Sequence, residues 1–223
     1  DGIYSGRSIN TARSGTTLIT FKKATESDHG AATGWSSTYG DGQAVTTDWE
    51  VTSASGYVTW DGQTEYGIKI DFGEGQNGIL LGSGSGGAPN VTVRYVDLDG
   101  IPQTGGYFYN FEGRCINAWQ GSNNLTVHHC RLRGQDTLMY CDNNDGWLVE
   151  YCDMLDSRSA NAAVHQNIIF IWSGSDNGTI RYNRIHNWNT EGIFFTGGGA
   201  TGWKIYGNLF YDGVDTARGI EIR

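Results

Sequence analysis

An internal repeat constrains this chain more than any other feature. Five segments share one register: VRYVDLDG from Val93, VHHCRLRG from Val127, VEYCDMLD from Val149, IRYNRIHN from Ile180 and IYGNLFYD from Ile205. Their starts lie 34, 22, 31 and 25 residues apart. The period is irregular, but the order of residue types inside each segment is strict. The first position is always apolar (Val93, Val127, Val149, Ile180, Ile205), and so is the sixth (Leu98, Leu132, Met154, Ile185, Phe210). The second and fifth positions are mostly charged. Apolar and polar residues alternate at period two, the mark of a strand. The alternation breaks at the third and fourth positions, which implies a bend between two short strands. Three residues before each apolar start stand Asn90, Asn124, Gly146, Asn177 and Gly202. Asn and Gly are the residue types that tolerate a left-handed backbone, so one conformational demand recurs in every unit.

A second family of short apolar strands falls between the units: YGIKI, NGILL, CINAW, LMYC, NIIFIW, GIFF and GIEI. No segment has a helical period. Each unit therefore carries strand, bend, strand, variable loop, strand and turn. Coils of roughly 22–34 residues, with like residues above like, describe an all-β, parallel solenoid with rungs ~4.8 Å apart. The whole chain, residues 1–223, reads as one such domain.

The stacked segments resemble the right-handed parallel β-helix superfamily of pectate-lyase-like proteins. Asn183 and Asn208 at the bend are similar to that family's asparagine ladder, and TLITFKKAT and GYVTWDGQT resemble first-coil sequences of extracellular members. The resemblance implies a single-stranded right-handed parallel β-helix and an extracellular location. It leaves activity open, because the superfamily holds lyases, hydrolases, epimerases, adhesins and phage spikes.

Composition narrows the partners. The chain has 34 Gly and only 2 Pro, which suits many tight turns without linkers, and its net charge is −9. An acidic surface of this kind disfavours nucleic acid, and no apolar run is long enough to span a membrane. Asp1 implies a mature or excised start. GIEIR ends within a strand, so a truncated chain or a next rung supplied by another molecule is expected there.

The segment VHHCRLRG looks at first like a metal site. His128 and His129 as strand neighbours would point to opposite faces, so shared chelation is disfavoured. His129 shares a column with Tyr95, Tyr151 and Tyr182 and is expected to stack with them. Down the fifth column Asp97, Arg131, Asp153 and Arg184 alternate in sign, as a stable parallel stack requires. Cys130 and Cys152 occupy the bend column one coil apart, within reach of a disulfide; two reduced, buried thiols are the alternative. Three N-x-T sequons, at Asn90, Asn124 and Asn177, fall on the left-handed column, where Asn already has a structural reason. They are either glycosylation sites or by-products of the repeat.

In the family it resembles, acidic polymers are cleaved in a groove on the strand after the variable loop, where carboxylates hold Ca²⁺ and an Arg or Lys removes a proton. On that strand the expected outward residues here are Asn117, Trp119, Met139, Cys141, Phe170 or Trp172, and Phe194, an aromatic stripe rather than a carboxylate cluster. Charge is expected only from Lys69 and Asp71 early and Glu221 and Arg223 late. Asp142 and Asp145, in CDNNDG, are the candidate Ca²⁺ ligands. Arg158 and His165, in the loop LDSRSANAAVHQN, are the candidate catalytic pair. Trp119 and Trp172 are the candidate sugar-stacking residues. The stripe admits three readings: sugar binding, packing against another chain, or burial by the protein's own loops. The leading expectation is an extracellular module that binds, and processes as lyase or hydrolase, a polysaccharide. The alternative is a non-catalytic filament or surface protein that assembles with copies of itself.

Overall fold

The computed structural model describes residues 2–29, 33–36, 38–64, 66–83, 86–101, 113–157, 166–214 and 216–223. It is a parallel β-helix of three sheets. Sheet I has eight strands, from Gly2–Tyr4 to Leu209–Tyr211. Sheet II has eight, from Ser8–Ile9 to Arg218–Ile222. Sheet III has seven, from Ile19–Lys22 to Lys204–Tyr206. The strand pairings within the sheets are all parallel. One coil runs through Thr126–His128 in sheet III, Arg131–Arg133 in sheet I and Thr137–Cys141 in sheet II, then returns to sheet III at Leu148–Glu150.

The columns of the repeat are the register of the sheets. Val93, Val127, Val149, Ile180 and Ile205 pair in succession in sheet III, and Leu98, Leu132, Met154, Ile185 and Phe210 do so in sheet I. All but the last member of each column are fully buried. Each such side chain contributes about 1.5–3 kcal/mol relative to exposure.

The left-handed column is real. Asn90, Asn124 and Asn177 have φ of 58°, 58° and 57°, and Gly146 and Gly202 have 73° and 70°. Asn and Gly also complement one another down the stack. A Cβ on Gly146 would lie 2.7 Å from the Asn124 amide oxygen, and one on Gly202 2.5 Å from that of Asn177.

The bend is built by a second left-handed column. Tyr95, His129, Tyr151 and Tyr182 have φ between 53° and 56°. For residues with a Cβ this costs about 1–2 kcal/mol each. The rings offset part of that cost by stacking, with centroids 5.0, 5.1 and 5.3 Å apart in successive coils. The next residue turns inward and satisfies the bend's backbone. The Asn183 amide oxygen accepts from the Cys152 N–H at 2.9 Å, and its nitrogen donates to the Val149 carbonyl at 3.0 Å. Asn208 repeats this beneath Asn183.

Outside sheet I the alternating charges close into ion pairs. Arg131 and Arg133 hold Asp97 and Asp99, Arg184 lies 3.1 Å from Asp153, and Lys69 lies 2.9 Å from Asp99. Lys69 and Asp71 are therefore not on the groove strand. YGIKI supplies Ile68–Phe72 of sheet I, which pairs with Val96–Gly100. Its alternation suits either sheet, and only its place after a bend decides between them.

A further column, of small residues with three polar members at its centre, is not evident from the sequence. Ala88, Ser122, Asn144, Ser175 and Ala200 stand two residues before the left-handed column. Ser122 is fully buried; it donates to the Leu81 carbonyl and accepts from the Ala88 N–H. The Asn144 amide donates to the Ala118 carbonyl at 3.1 Å. The uniformly small side chains of this column were the available signal.

Candidate functional site

Sheet II presents two outward columns. The first is Asn117, Tyr140, Phe170, Phe194 and Glu221, aligned by strand register. The second begins where the strands end: Trp119, Asp142, Trp172, Thr196 and Arg223. Their N–H groups continue the ladder, donating to the carbonyls of Leu81, Ala118, Cys141, Ile171 and Phe195 at 3.0, 3.3, 2.7, 3.0 and 2.9 Å. Met139 and Cys141, expected outward, point inward and are fully buried. A slip of one residue flips a strand. Here both faces are apolar: all five residues of Asn167–Ile171 are buried, so alternation gives no phase.

The outward aromatics pack as a chain. Tyr140 meets Phe170 edge-on at 5.3 Å, and Phe170 meets Phe194 at 5.3 Å and Trp172 at 5.7 Å. The Arg114 guanidinium lies 4.1 Å above the Tyr140 ring, and that of Arg223 lies 5.3 Å above Phe194. Phe170 and Phe194 are buried within the molecule, whereas Trp172 is 41% exposed. Trp119 is half-buried. Asp142 sits on the rung between the two tryptophans. Burial raises its pKa from the ordinary aspartate value, and the positive charge of Arg114 opposes that rise.

This face thus brings together three of the expected site residues, Trp119, Asp142 and Trp172. It does not include Asp145, whose backbone pairs in parallel with that of Asp176 in the turn and whose N–H donates to the Asn123 side chain. Among the described residues, no group of three or more His, Cys, Asp or Glu converges to hold a metal ion. Arg158 and His165 lie outside the described residues. At the late end, Glu191 is buried and Arg218 reaches both it and Glu221, at 3.4 and 2.6 Å.

The two histidines do not point apart. Because His129 is in the left-handed bend, its Nδ1 comes within 3.0 Å of His128 Nδ1. Burial, His129 and Arg94 together lower the His128 pKa. His129 stacks between Tyr95 and Tyr151 as its column implies. Among the sequons, Asn124 donates its amide nitrogen to the Asn90 amide oxygen at 3.1 Å, so this column hydrogen-bonds to itself.

Cys130 and Cys152 are free, buried thiols, and no bond joins them. Each takes the place of a ladder asparagine and reaches backbone carbonyls, Cys130 those of Val93 and His128 and Cys152 those of Val127 and Glu150. Burial pushes the Cys141 thiol up to about 12 and raises those of Cys115 and Cys130 as well. All four thiols are buried, so they are expected to resist Ellman's reagent in the folded protein and to react together on unfolding. Recovery of only half of them after unfolding would mean that one pair is bridged, and peptide mapping would show whether it is Cys130 and Cys152.

Two cavities, of about 440 and 410 Å³, lie in the early and the late coils, and the second reaches Thr196 and Arg223 at the late end of the second column. The first is lined by Phe21, Trp49 and Trp60 in the early coils, the second by Phe195 and Trp203 in the late ones. Neither is lined by Trp119, Asp142 or Trp172.

Stacked parallel coils with an inward polar ladder define a solenoid of the β-helix class. A family model described as the right handed beta helix region matches residues 66–222, and the chain belongs to that family. No curated protein and no solved structure matches it.

Proposed function

We propose that this chain is an extracellular β-helix module that binds, and processes, a polysaccharide along the outer face of sheet II. The observation that carries this reading is the column Trp119, Asp142, Trp172. Indole rings above and below an acid supply stacking surfaces for sugar rings and a proton donor between them. Arg114, beside Asp142 and Tyr140, adds a positive charge at the same place. A panel of neutral and uronic-acid polymers, with and without Ca²⁺, tests the reading. Retention on at least one polymer is expected, with new reducing ends or unsaturated products where processing occurs. No binding and no product on any polymer would sink it.

A second reading, lateral assembly, draws on the bend. Tyr151 and Tyr182, in the bends of consecutive coils, are 50% and 45% exposed, and Tyr206, at the end of the next sheet III strand and 42% exposed, meets Tyr182 edge-on at 5.6 Å. Such exposed rings suit contact between rods. On this reading, negative-stain images show bundled fibres, and Tyr151→Ser with Tyr182→Ser disperses them. Isolated rods at high concentration would count against it.

A further inference from the structure

We propose that the sheet II face takes an extended β-1,4-linked polysaccharide of flat, equatorially substituted sugars, laid along the solenoid axis, with Trp119 and Trp172 stacked on alternate rings. The inference rests on the carbohydrate reading above and narrows it to one linkage geometry.

Spacing is the first argument. Trp119 and Trp172 occupy the same outward column two coils apart, with Asp142 on the coil between. Each coil advances ~4.8 Å, so the two indoles repeat at ~10 Å. In an extended β-1,4 chain each sugar advances by about one rung, and alternate sugars present equivalent faces. Two rungs therefore match one disaccharide. The tryptophans meet rings of like orientation, and Asp142 falls opposite the ring and linkages between them. A β-1,3 chain curves away from a straight ladder, and an α-1,4 chain coils out of step with it.

A second observation comes from Asn117, on the same coil and face as Trp119. It is 4% exposed, and its amide oxygen is buried with no hydrogen-bond partner among the described residues. A buried amide oxygen without a donor is costly in the free protein. An equatorial hydroxyl of a ring stacked nearby is a donor of the right kind. Aromatic stacking plus hydrogen bonds to hydroxyls, with the face's arginines already engaged by rings or carboxylates, describes a site for neutral sugars.

Calorimetric titration of the whole chain with defined hexasaccharides tests this. The β-1,4 series is cellohexaose, xylohexaose and mannohexaose; the contrasts are laminarihexaose (β-1,3), maltohexaose (α-1,4) and hexagalacturonate (α-1,4, anionic). At least one β-1,4 oligomer is expected to bind about tenfold or more tighter than every contrast. Trp172→Ala is the safer variant because that ring is already exposed. It and Trp119→Ala are each expected to weaken binding about tenfold, the loss of one stacking contact, with unfolding midpoints of folded protein as control. Tighter binding of a contrast oligomer would overturn the linkage while leaving the carbohydrate reading in place. Unchanged affinity in Trp172→Ala would overturn the stacking role. No binding by any oligomer or polymer would overturn both.

Discussion

Asn183→Ala is expected to lower the free energy of unfolding by about 3–5 kcal/mol, a large share of the ~5–15 kcal/mol that holds a domain together. Asn183 is 1% exposed. Its amide oxygen accepts from the Cys152 N–H, and its amide nitrogen donates to the Val149 carbonyl and to the Asn208 amide oxygen at 2.9 Å. Alanine leaves two buried backbone groups without partners, whereas the Asn208 amide oxygen keeps the backbone N–H of residue 183 at 3.0 Å. The cavity it opens is too small to admit enough water to serve both. The neighbouring coils show a remedy, since Cys130 and Cys152 fill this position with thiols that reach carbonyls. Asn183→Cys is therefore expected to recover part of the loss. Urea unfolding with a common slope checks both variants; a loss below about 1 kcal/mol for Asn183→Ala would show that the ladder is not a stability element.

Legibility in the sequence followed the backbone's demands. The left-handed Asn/Gly column announces itself because few residues tolerate that conformation, and the apolar columns do so because each must face the lumen in every coil. The charge pairs of sheet I were readable because a parallel stack sets fifth position over fifth position. Sheet II was not readable at the same level. Its strands are apolar on both faces, so nothing in Thr137–Cys141 says that Met139 points in and Tyr140 points out. The contact between His128 and His129 escaped for a related reason. A strand rule was applied to a residue that the structure places in a left-handed bend at φ 54°. Asn and Gly are visible signals of that conformation, but Tyr and His are not. The site was half legible. Trp119 and Trp172 stood out as sugar-stacking residues and Asp142 as a Ca²⁺ ligand, and only the register of sheet II shows that the three share a column.

The same column yields the second large effect. On the polymer that the groove accepts, Asp142→Asn is expected to reduce turnover by about 10²–10⁴-fold, the usual contribution of a positioned proton donor, while binding changes by no more than a few-fold. The acid must be protonated to act, and burial raises the Asp142 pKa against the opposing charge of Arg114. Activity should therefore be full below that raised pKa and fall as the pH climbs through it. Arg114→Leu removes the charge that favours ionisation, so the falling limb should move to higher pH. A limb that moves to lower pH, or one that persists in Asp142→Asn, would assign the proton to another group. Stability runs with the same sign. A carboxyl whose pKa is raised by folding stabilises the fold in its neutral form, and that contribution is lost as the pH rises through the folded value. Asparagine is neutral at every pH, so Asp142→Asn should unfold at neutral pH no more easily than the parent. A variant that loses turnover, keeps its ligand and does not lose stability would separate the chemistry of Asp142 from the scaffold that carries it.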